Sequence, residues 1–472
     1  MDTTRFPAAA VATTSLGFAL VQLDVTIVNV ALPRIAADLA ASISGLQWVV
    51  DAYTLCFAAS LLTAGALGDR LGARATYNAG FGVFALASAM CGFAPDALSL
   101  IAARALQGLG AALLVPSSLA LLDAASGGDK VRRARAVAFW TASGGMSIAI
   151  GPLAGAVLLD TLGWRWIFFL NVPVCVLAAL AVIRSSMPPQ PHSNPTRGFD
   201  PFGQILAVVA LAALVATIIE ASAAAIDPVF IVGGAVVALL AALGFCIVES
   251  RVASPMLPLA FFARPGFSCA VLFGVVVNFT YYGIVFALSL YLQQAREYSP
   301  LDAGLAYLPL TATFILSNVI SGSVMARYGT AIPMIAGAAI GACGFTLLIR
   351  LNDTSTFLSM LPPFALIPFG MGLAVPAMTT VVLSSLERRF AATASGALNA
   401  ARQAAGALGV AVFGALVAHD PIIGGLHEAA SISAALMIVA AAIAVARKRA
   451  IDGVAHEGLR TRSPSPSMKP AP

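Results

Sequence analysis

The stretch "VQLDVTIVNVALP", residues 21–33, sets an acid, Asp24, inside a run that is otherwise apolar. A charge at a bilayer centre costs about 2.5–3.5 kcal/mol on insertion scales, so an acid placed there is usually paired or functional. Whether the run lies in lipid or in a protein core therefore decides the fold. The chain has 472 residues, 60% of them hydrophobic and 10% charged, with a mean hydropathy of +0.92. Soluble domains average about 45–50% apolar and about 25% charged residues. So much apolar surface cannot be hidden from water, and the solvent of this chain is lipid.

A helix needs about 20 mainly apolar residues to cross the hydrocarbon. Fourteen runs approach that length. The first six lie near 10–33, 46–67, 76–94, 98–121, 136–158 and 166–184; two follow near 202–221 and 228–248; the last six lie near 267–292, 303–325, 332–350, 358–383, 396–418 and 429–446. An even count places both termini on one side. With the termini cytoplasmic, 20 of the 26 Lys and Arg fall in inner segments, four (Arg34, Arg165, Arg296, Arg350) fall in outer loops, and Arg104 and Arg402 fall within spans. That asymmetry fixes the orientation. The net charge of +5 gathers on no single face, which argues against a nucleic-acid partner.

The Pro-rich segment "RSSMPPQPHSNPTRGFDP", 184–201, separates the first six spans from the rest. The expected units are a six-helix bundle over 1–184, a loop and inserted helix pair over 185–265, a second six-helix bundle over 266–446, and a disordered polar tail over 447–472. The bundles rhyme weakly: "GLGAALLVP" (108–116) pairs with "GMGLAVP" (370–376), and "GALGDRLGAR" (65–74) with "GSVMARYGTA" (322–331). Two parallel repeats of this kind build many transporters. The six cysteines lie in apolar runs without CxxC spacing and read as small packing residues. All four histidines fall in loops or the tail, so neither a metal site nor a cofactor is expected. The apolar N-terminus reads as a retained first helix, since Asp24 and Asn29 interrupt it and no cleavage site precedes them.

Four stretches carry a family resemblance. "LDVTIVNVALP" (23–33) resembles a first-helix signature, "GALGDRLGAR" a GxLaDrxGrk loop with departures at Gly68 and Ala73, "LIAARALQGLGAA" (100–112) a fourth-helix motif lxxxRxxqGxgaA, and "GWRWIFFLNVP" (163–173) the start of a sixth helix. Together they identify the chain as similar to the major facilitator superfamily, and specifically to its 14-helix drug:proton antiporters. The fifth-helix antiporter motif gxxxGPxxGG is met in part by "SIAIGPLAGA" (147–156): Gly151, Pro152 and Gly155 are present, while Ser147 and Ala156 replace glycines. Both replacements are small, so close helix approach survives. The resemblance implies an all-α major facilitator fold of 14 helices in a bacterial-type inner membrane. It also implies an inner-gate latch formed by Asp69 and Arg70.

The chemistry follows from depth. Asp24 stands about 14 Å below an outer end at Pro33, and Arg104 about 9 Å below the start of the fourth span. A long Arg side chain spans that difference. Moving Arg104 toward or away from Asp24 would switch the acid between releasing and binding a proton; the alternative is a static salt bridge. Gln107, one turn beyond Arg104, would orient the guanidinium, touch substrate or simply pack. In the loop, Gly65, Gly68 and Gly72 permit a tight turn, Asp69 suits a helix N-terminus, Asp123 is a partner for Arg70 or Arg74, and Arg74 reads equally as a topology charge. Asp51 reads first as a solvated acid at a helix end and second as another proton site. Candidate walls of a midplane cavity are Asn29, Tyr53, Gln107, Trp140, Asn278, Tyr281, Tyr282, Asn318, Asn399, Arg402 and Gln403, each also readable as packing. Arg402 stands out, because an unpaired mid-span Arg is costly; it would bind an anionic substrate or a helix C-terminus.

The expected function is proton-driven export of drugs or toxic small molecules. Its rivals are export of one metabolite, such as an antibiotic or siderophore, and proton-coupled uptake. An enzyme is not expected, since no span carries His or a nucleophile–base constellation. ATP drive is excluded by the absence of a GxxxxGK[ST] loop. The expected partners are a small-molecule substrate, protons and the lipid bilayer, with the chain acting as a monomer.

Overall fold

The computed structural model describes residues 8–126, 130–184, 200–221, 228–252, 255, 257–386, 391–418 and 421–448. Most of the Pro-rich 184–201 segment and the tail from 449 lie outside that set. Every regular element among the described residues is helical. The first group comprises α1 (Ala8–Leu39), α2 (Ile43–Leu71), α3 (Ala73–Phe93), α4 (Ala97–Ala125), α5 (Lys130–Thr161), α6 (Arg165–Phe169) and α7 (Asn171–Arg184). A pair follows, α8 (Pro201–Ala221) and α9 (Pro228–Arg251). The last group is α10 (Pro265–Leu290), extended by a π-helical turn over Tyr291–Ala295, then α11 (Pro300–Ala306), α12 (Leu308–Tyr328), α13 (Ala331–Leu348), α14 (Phe357–Ser384), α15 (Ala391–Val417) and α16 (Ile422–Ala446).

Among the described residues, eleven helical segments are long and apolar enough to cross a membrane, and α5, bent by 41°, makes a twelfth. Length and composition thus establish eleven or twelve spans. The expected fourteen would include α2 and α3, which are long but are not among those twelve; α2 carries Asp51, Asp69 and Arg70. Polar caps mark the end of the bundle that holds Asp38. Ser42, Asp96, Ser299 and Thr356 each accept a hydrogen bond from a backbone N–H of the following first turn, which satisfies donors that the helix cannot. The opposite end holds Gly72, whose φ of +88° turns α2 into α3 with no intervening loop.

Packing is dense within each group. α1 lies on α5, α2 and α3 on α4, and α3 on α7; α10 lies on α15, α12 and α13 on α14, and α13 on α16. The α8–α9 pair packs on itself and reaches the seam between α2 and α15 through α8, where Val215 and Ile219 join Leu55, Ala407 and Ala411. The outer face of α9 presents Phe230, Leu239 and Leu240, an apolar surface suited to acyl chains. Cys91, Cys175 and Cys269 are buried as expected of packing residues, whereas Cys246 and Cys343 are exposed.

Two boundaries differ from the sequence reading. The first helix does not end at Pro33; α1 runs on through it to Leu39. Proline has no N–H to return to the carbonyl four residues back, that of Asn29. Ser289 Oγ on α10 donates to that carbonyl instead, the kind of substitution that lets proline persist in a membrane helix. The tenth span, expected to be continuous, breaks at Tyr307 into α11 and α12. Pro309 follows at the start of α12, where its missing N–H costs nothing.

Candidate functional site

Asp24 sits on α1 with no solvent exposure, and Arg104 on α4 is 1% exposed. Arg104 Nη1 donates to Asp24 Oδ2 at 2.5 Å and to Gln107 Oε1 at 2.7 Å. Its Nε donates to the Val49 carbonyl of α2 at 3.1 Å, and its guanidinium carbon lies 4.2 Å from the centre of the Tyr53 ring. Asp24 Oδ1 accepts from Gln107 Nε2 and from Asn171 Nδ2, both at 2.9 Å. Those two amides also reach Ser88 Oγ, at 2.7 and 3.1 Å. Helices α4 and α7 thus donate to a carboxylate of α1, with Ser88 of α3 and Val49 of α2 holding the donors.

Local sequence makes this approach possible. Gly108 follows Arg104 by one turn, and a Cβ there would run into the Tyr53 carbonyl and lie 3.1 Å from the Phe57 nitrogen. With no side chain in the way, α4 and α2 touch backbone to backbone, which brings the Val49 carbonyl within reach of Arg104. Removing one partner of such a buried pair leaves the other uncompensated, at about 3–5 kcal/mol. Asp24 Oδ1 thus accepts from two donors and Oδ2 from one. Sequence reasoning found Asp24, Arg104 and Gln107 but gave no role to Ser88 or Asn171. Their signal was slight: single polar residues in "ALASAMC" (85–91) and "FFLNVP" (168–173).

The fifth-helix motif lies beside this site. A Cβ at Gly151 would collide with Thr26 Oγ1, and one at Gly155 would sit 2.8 Å from Ile27 Cγ1. Both glycines thus hold α5 against the turn of α1 that follows Asp24. Gly304 of α11 approaches the other side of α5, where its Cβ would lie 2.9 Å from the Pro152 carbonyl oxygen.

At the Gly72 end, Arg74 donates to the carbonyls of Val182 and Ile183 at 2.8 and 2.9 Å. It therefore caps the last turn of α7, a role more specific than a topology charge. Arg70 and Asp123 are exposed, Gly65 has open space where a Cβ would point, and the Asp69 side chain lies outside the described set. Asp51 departs from its first reading as a solvated acid. It is fully buried, and neither oxygen has a hydrogen-bond partner among the described residues.

The candidate cavity residues are dispersed. Tyr53 is buried beneath Arg104, with its hydroxyl unpartnered among the described residues. Trp140 stacks on Phe18 at 3.7 Å and donates to Ser118 Oγ at 3.0 Å. Asn29, Asn278 and Asn318 each return their amide to the carbonyl one turn back, at 2.8–2.9 Å. Tyr282 and Arg402 lie together across the α10–α15 contact, both partly exposed.

Contacts between the two groups concentrate at the Asp38 end. Besides Ser289 with Asn29, Gln293 Nε2 donates to the Val30 carbonyl at 3.0 Å, and Gln47 Nε2 to the Ala411 carbonyl at 2.7 Å. Toward the Gly72 end, α4 and α14 make no extensive contact among the described residues. Among the described residues, the hydrogen bonds that join the two groups therefore lie at the Asp38 end.

Comparison with known proteins fits this architecture. The chain is 35% identical over 405 residues to a methylenomycin A resistance protein of Bacillus subtilis, covering 85% of this chain and 86% of that one. It is 34% identical over 404 residues to a tetracenomycin C resistance and export protein of Streptomyces glaucescens, covering 86% and 74%. To the multidrug resistance protein Stp of Mycobacterium tuberculosis it is 35% identical over 411 residues, covering 86% and 75%. A crystal structure of a peptide transporter, POT, in complex with sulfate shares the fold, with a TM-score of 0.71 over 94% of this chain and 95% of that one, at 13% identity. Residues 14–410 match the Major Facilitator Superfamily, and the chain belongs to that family.

Proposed function

We propose that the chain is a proton-coupled efflux transporter that exports lipophilic drugs or toxic small molecules by alternating access. The observation that carries this reading is the Asp24 carboxylate, enclosed by Arg104, Gln107 and Asn171 on helices that belong to one rocking bundle. A proton binds as Arg104 withdraws and leaves as it returns, while Arg104 stays charged throughout. The names of the relatives support export, since they describe resistance proteins, one of them also an export protein.

In this reading all fourteen helices, α2 and α3 included, cross a cell inner membrane, with both termini cytoplasmic. The chain works as a monomer of two six-helix bundles with α8–α9 inserted between them. The Asp38 end then faces outward and is closed, and the Gly72 end opens to the cytoplasm. Asp69, Arg70 and Asp123 latch that inner end in the opposite state. A second reading, export of one dedicated metabolite, is favoured by relatives named for methylenomycin A and tetracenomycin C.

Reconstituted protein tests the coupling. Asp24→Asn should abolish uphill, pH-gradient-driven export of a dye substrate while leaving downhill exchange, because the amide cannot titrate. Equal loss of both activities together with a lowered melting temperature would make the pair a static bridge. Full gradient-driven export by a well-folded Asp24→Asn protein would move the proton site elsewhere.

A further inference from the structure

Arg402 is the charged group that the proton site leaves unexplained. It lies midway along α15, partly buried, and its Nε is enclosed without a hydrogen-bond partner. Among the described residues its guanidinium meets neither a carboxylate nor a helix-end carbonyl. Arg104, by contrast, is neutralised by Asp24. The surroundings of Arg402 are built around its stem. A Cβ at Gly274 of α10 would lie 3.4 Å from Arg402 Cγ, and one at Gly406, a turn further along α15, would lie 3.0 Å from the Tyr282 ring. Gly406 thus leaves room for the aromatic ring, and Gly274 lies in ordinary contact with the arginine stem. Tyr282 packs on Gly406 and so shares that face of α15 with Arg402, one turn away.

We propose that Arg402 and the Tyr282 ring form an anion-binding subsite, so that the cargo joins a carboxylate or similar oxyanion to an aromatic or lipophilic body. The proposal rests on reading the chain as an exporter and names its class of substrate. The chemistry of the unpartnered guanidinium decides the sign. A guanidinium only donates, so the group that satisfies it is an acceptor, and an oxyanion gives the stronger, charge-assisted bond. The planar fork of arginine matches a carboxylate in two parallel bonds. A cationic cargo would meet an uncompensated positive charge in a medium that screens it poorly. Tyr282, edge-on to Tyr281 with ring centres 5.6 Å apart, supplies an aromatic wall for the ligand's body.

Three probes of one shape test this: 2-naphthoate, its uncharged amide, and the cationic 2-naphthylmethylammonium. Equilibrium dialysis against the full chain in lipid nanodiscs, corrected with empty discs, measures binding of each. Wild type should bind the carboxylate at least about tenfold tighter than the amide, and the cation most weakly. Arg402→Gln should erase the preference, and Arg402→Lys should keep part of it. Equal binding of carboxylate and amide by wild type overturns the proposal, as does a preference that persists in a folded Arg402→Gln protein. If Arg402→Gln fails to fold, the wild-type ratio alone decides. The export reading stands or falls separately, on gradient-driven transport in proteoliposomes. Arg402-dependent anion binding without such transport would sink the export reading and leave the subsite; transport without anion preference would do the reverse.

Discussion

Ser289 of α10 donates a hydrogen bond to the Asn29 carbonyl of α1, the one carbonyl that Pro33 leaves without its helical partner. A proline that would merely weaken a helix in water here exposes an acceptor to the opposite bundle. The closed Asp38 end is thus fastened through a defect in α1, with Gln293 on the adjacent Val30 carbonyl as a second fastening.

The first prediction follows from that bond. A buried hydrogen bond contributes about 0.5–1.5 kcal/mol net, enough to shift a two-state gate several-fold. Ser289→Ala should therefore raise the labelling of a Val30→Cys reporter by an impermeant thiol reagent applied from the Asp38 side. Pro33→Ala should do likewise, since a restored N–H competes for the same carbonyl. Unchanged labelling in both variants would reduce the bond to local packing.

Asn171 gives the second prediction. Its amide donates to the charged Asp24, whereas the amide of Asn278 returns only to a carbonyl of its own helix. Hydrogen bonds to charged groups contribute about 1.5–3 kcal/mol, neutral ones about 1 kcal/mol or less. Asn171→Ala should lower the melting temperature clearly and reduce gradient-driven export more than downhill exchange. Asn278→Ala should do neither to the same degree. Equal effects would mean that Asn171 acts by packing rather than through Asp24.

Much of this site was legible before any coordinates. Asp24 and Arg104 announce themselves as charges in lipid-length runs, and helix arithmetic sets them at similar depth. Gln107 follows from spacing along a helix. Asn171 and Ser88 do not, because a single amide or hydroxyl in an apolar helix is common and reveals its role only when a carboxylate is placed beside it. Pro33 misled the boundary, since the rule that proline ends a helix assumes no neighbour stands ready to take the freed carbonyl. Asp51 misled its burial, because proximity to a helix end says nothing of the α15 helix packed across α2. Helix count is the remaining gap: α2 and α3 are long helices inside the bundle but are not among the segments found long and apolar enough to cross a membrane in the described residues.

The last prediction uses two glycines of the same helix, α5. Gly151 faces Thr26, two residues beyond Asp24 on α1, and a Cβ there would collide with the threonine hydroxyl; Gly145 has nothing within 4 Å of the same position. Alanine is favoured over glycine in a helix interior by about 0.5–1 kcal/mol, so Gly145→Ala should leave stability unchanged or raise it slightly. Gly151→Ala gains the same propensity but pushes α5 away from α1, and overpacking of this kind costs about 1–3 kcal/mol. The melting temperature should fall in Gly151→Ala and hold in Gly145→Ala. Because α1 carries Asp24, the loss should extend to gradient-driven export in proteoliposomes. Thr26→Ser removes one methyl from the facing side chain, and Thr26→Ala removes the colliding hydroxyl as well. Adding Thr26→Ala to Gly151→Ala should therefore recover part of both losses, since the Cβ of residue 26 still lies 2.9 Å from the new one, while Thr26→Ser should recover little. If Gly151→Ala is as stable and active as Gly145→Ala, the motif glycine has no packing role against α1.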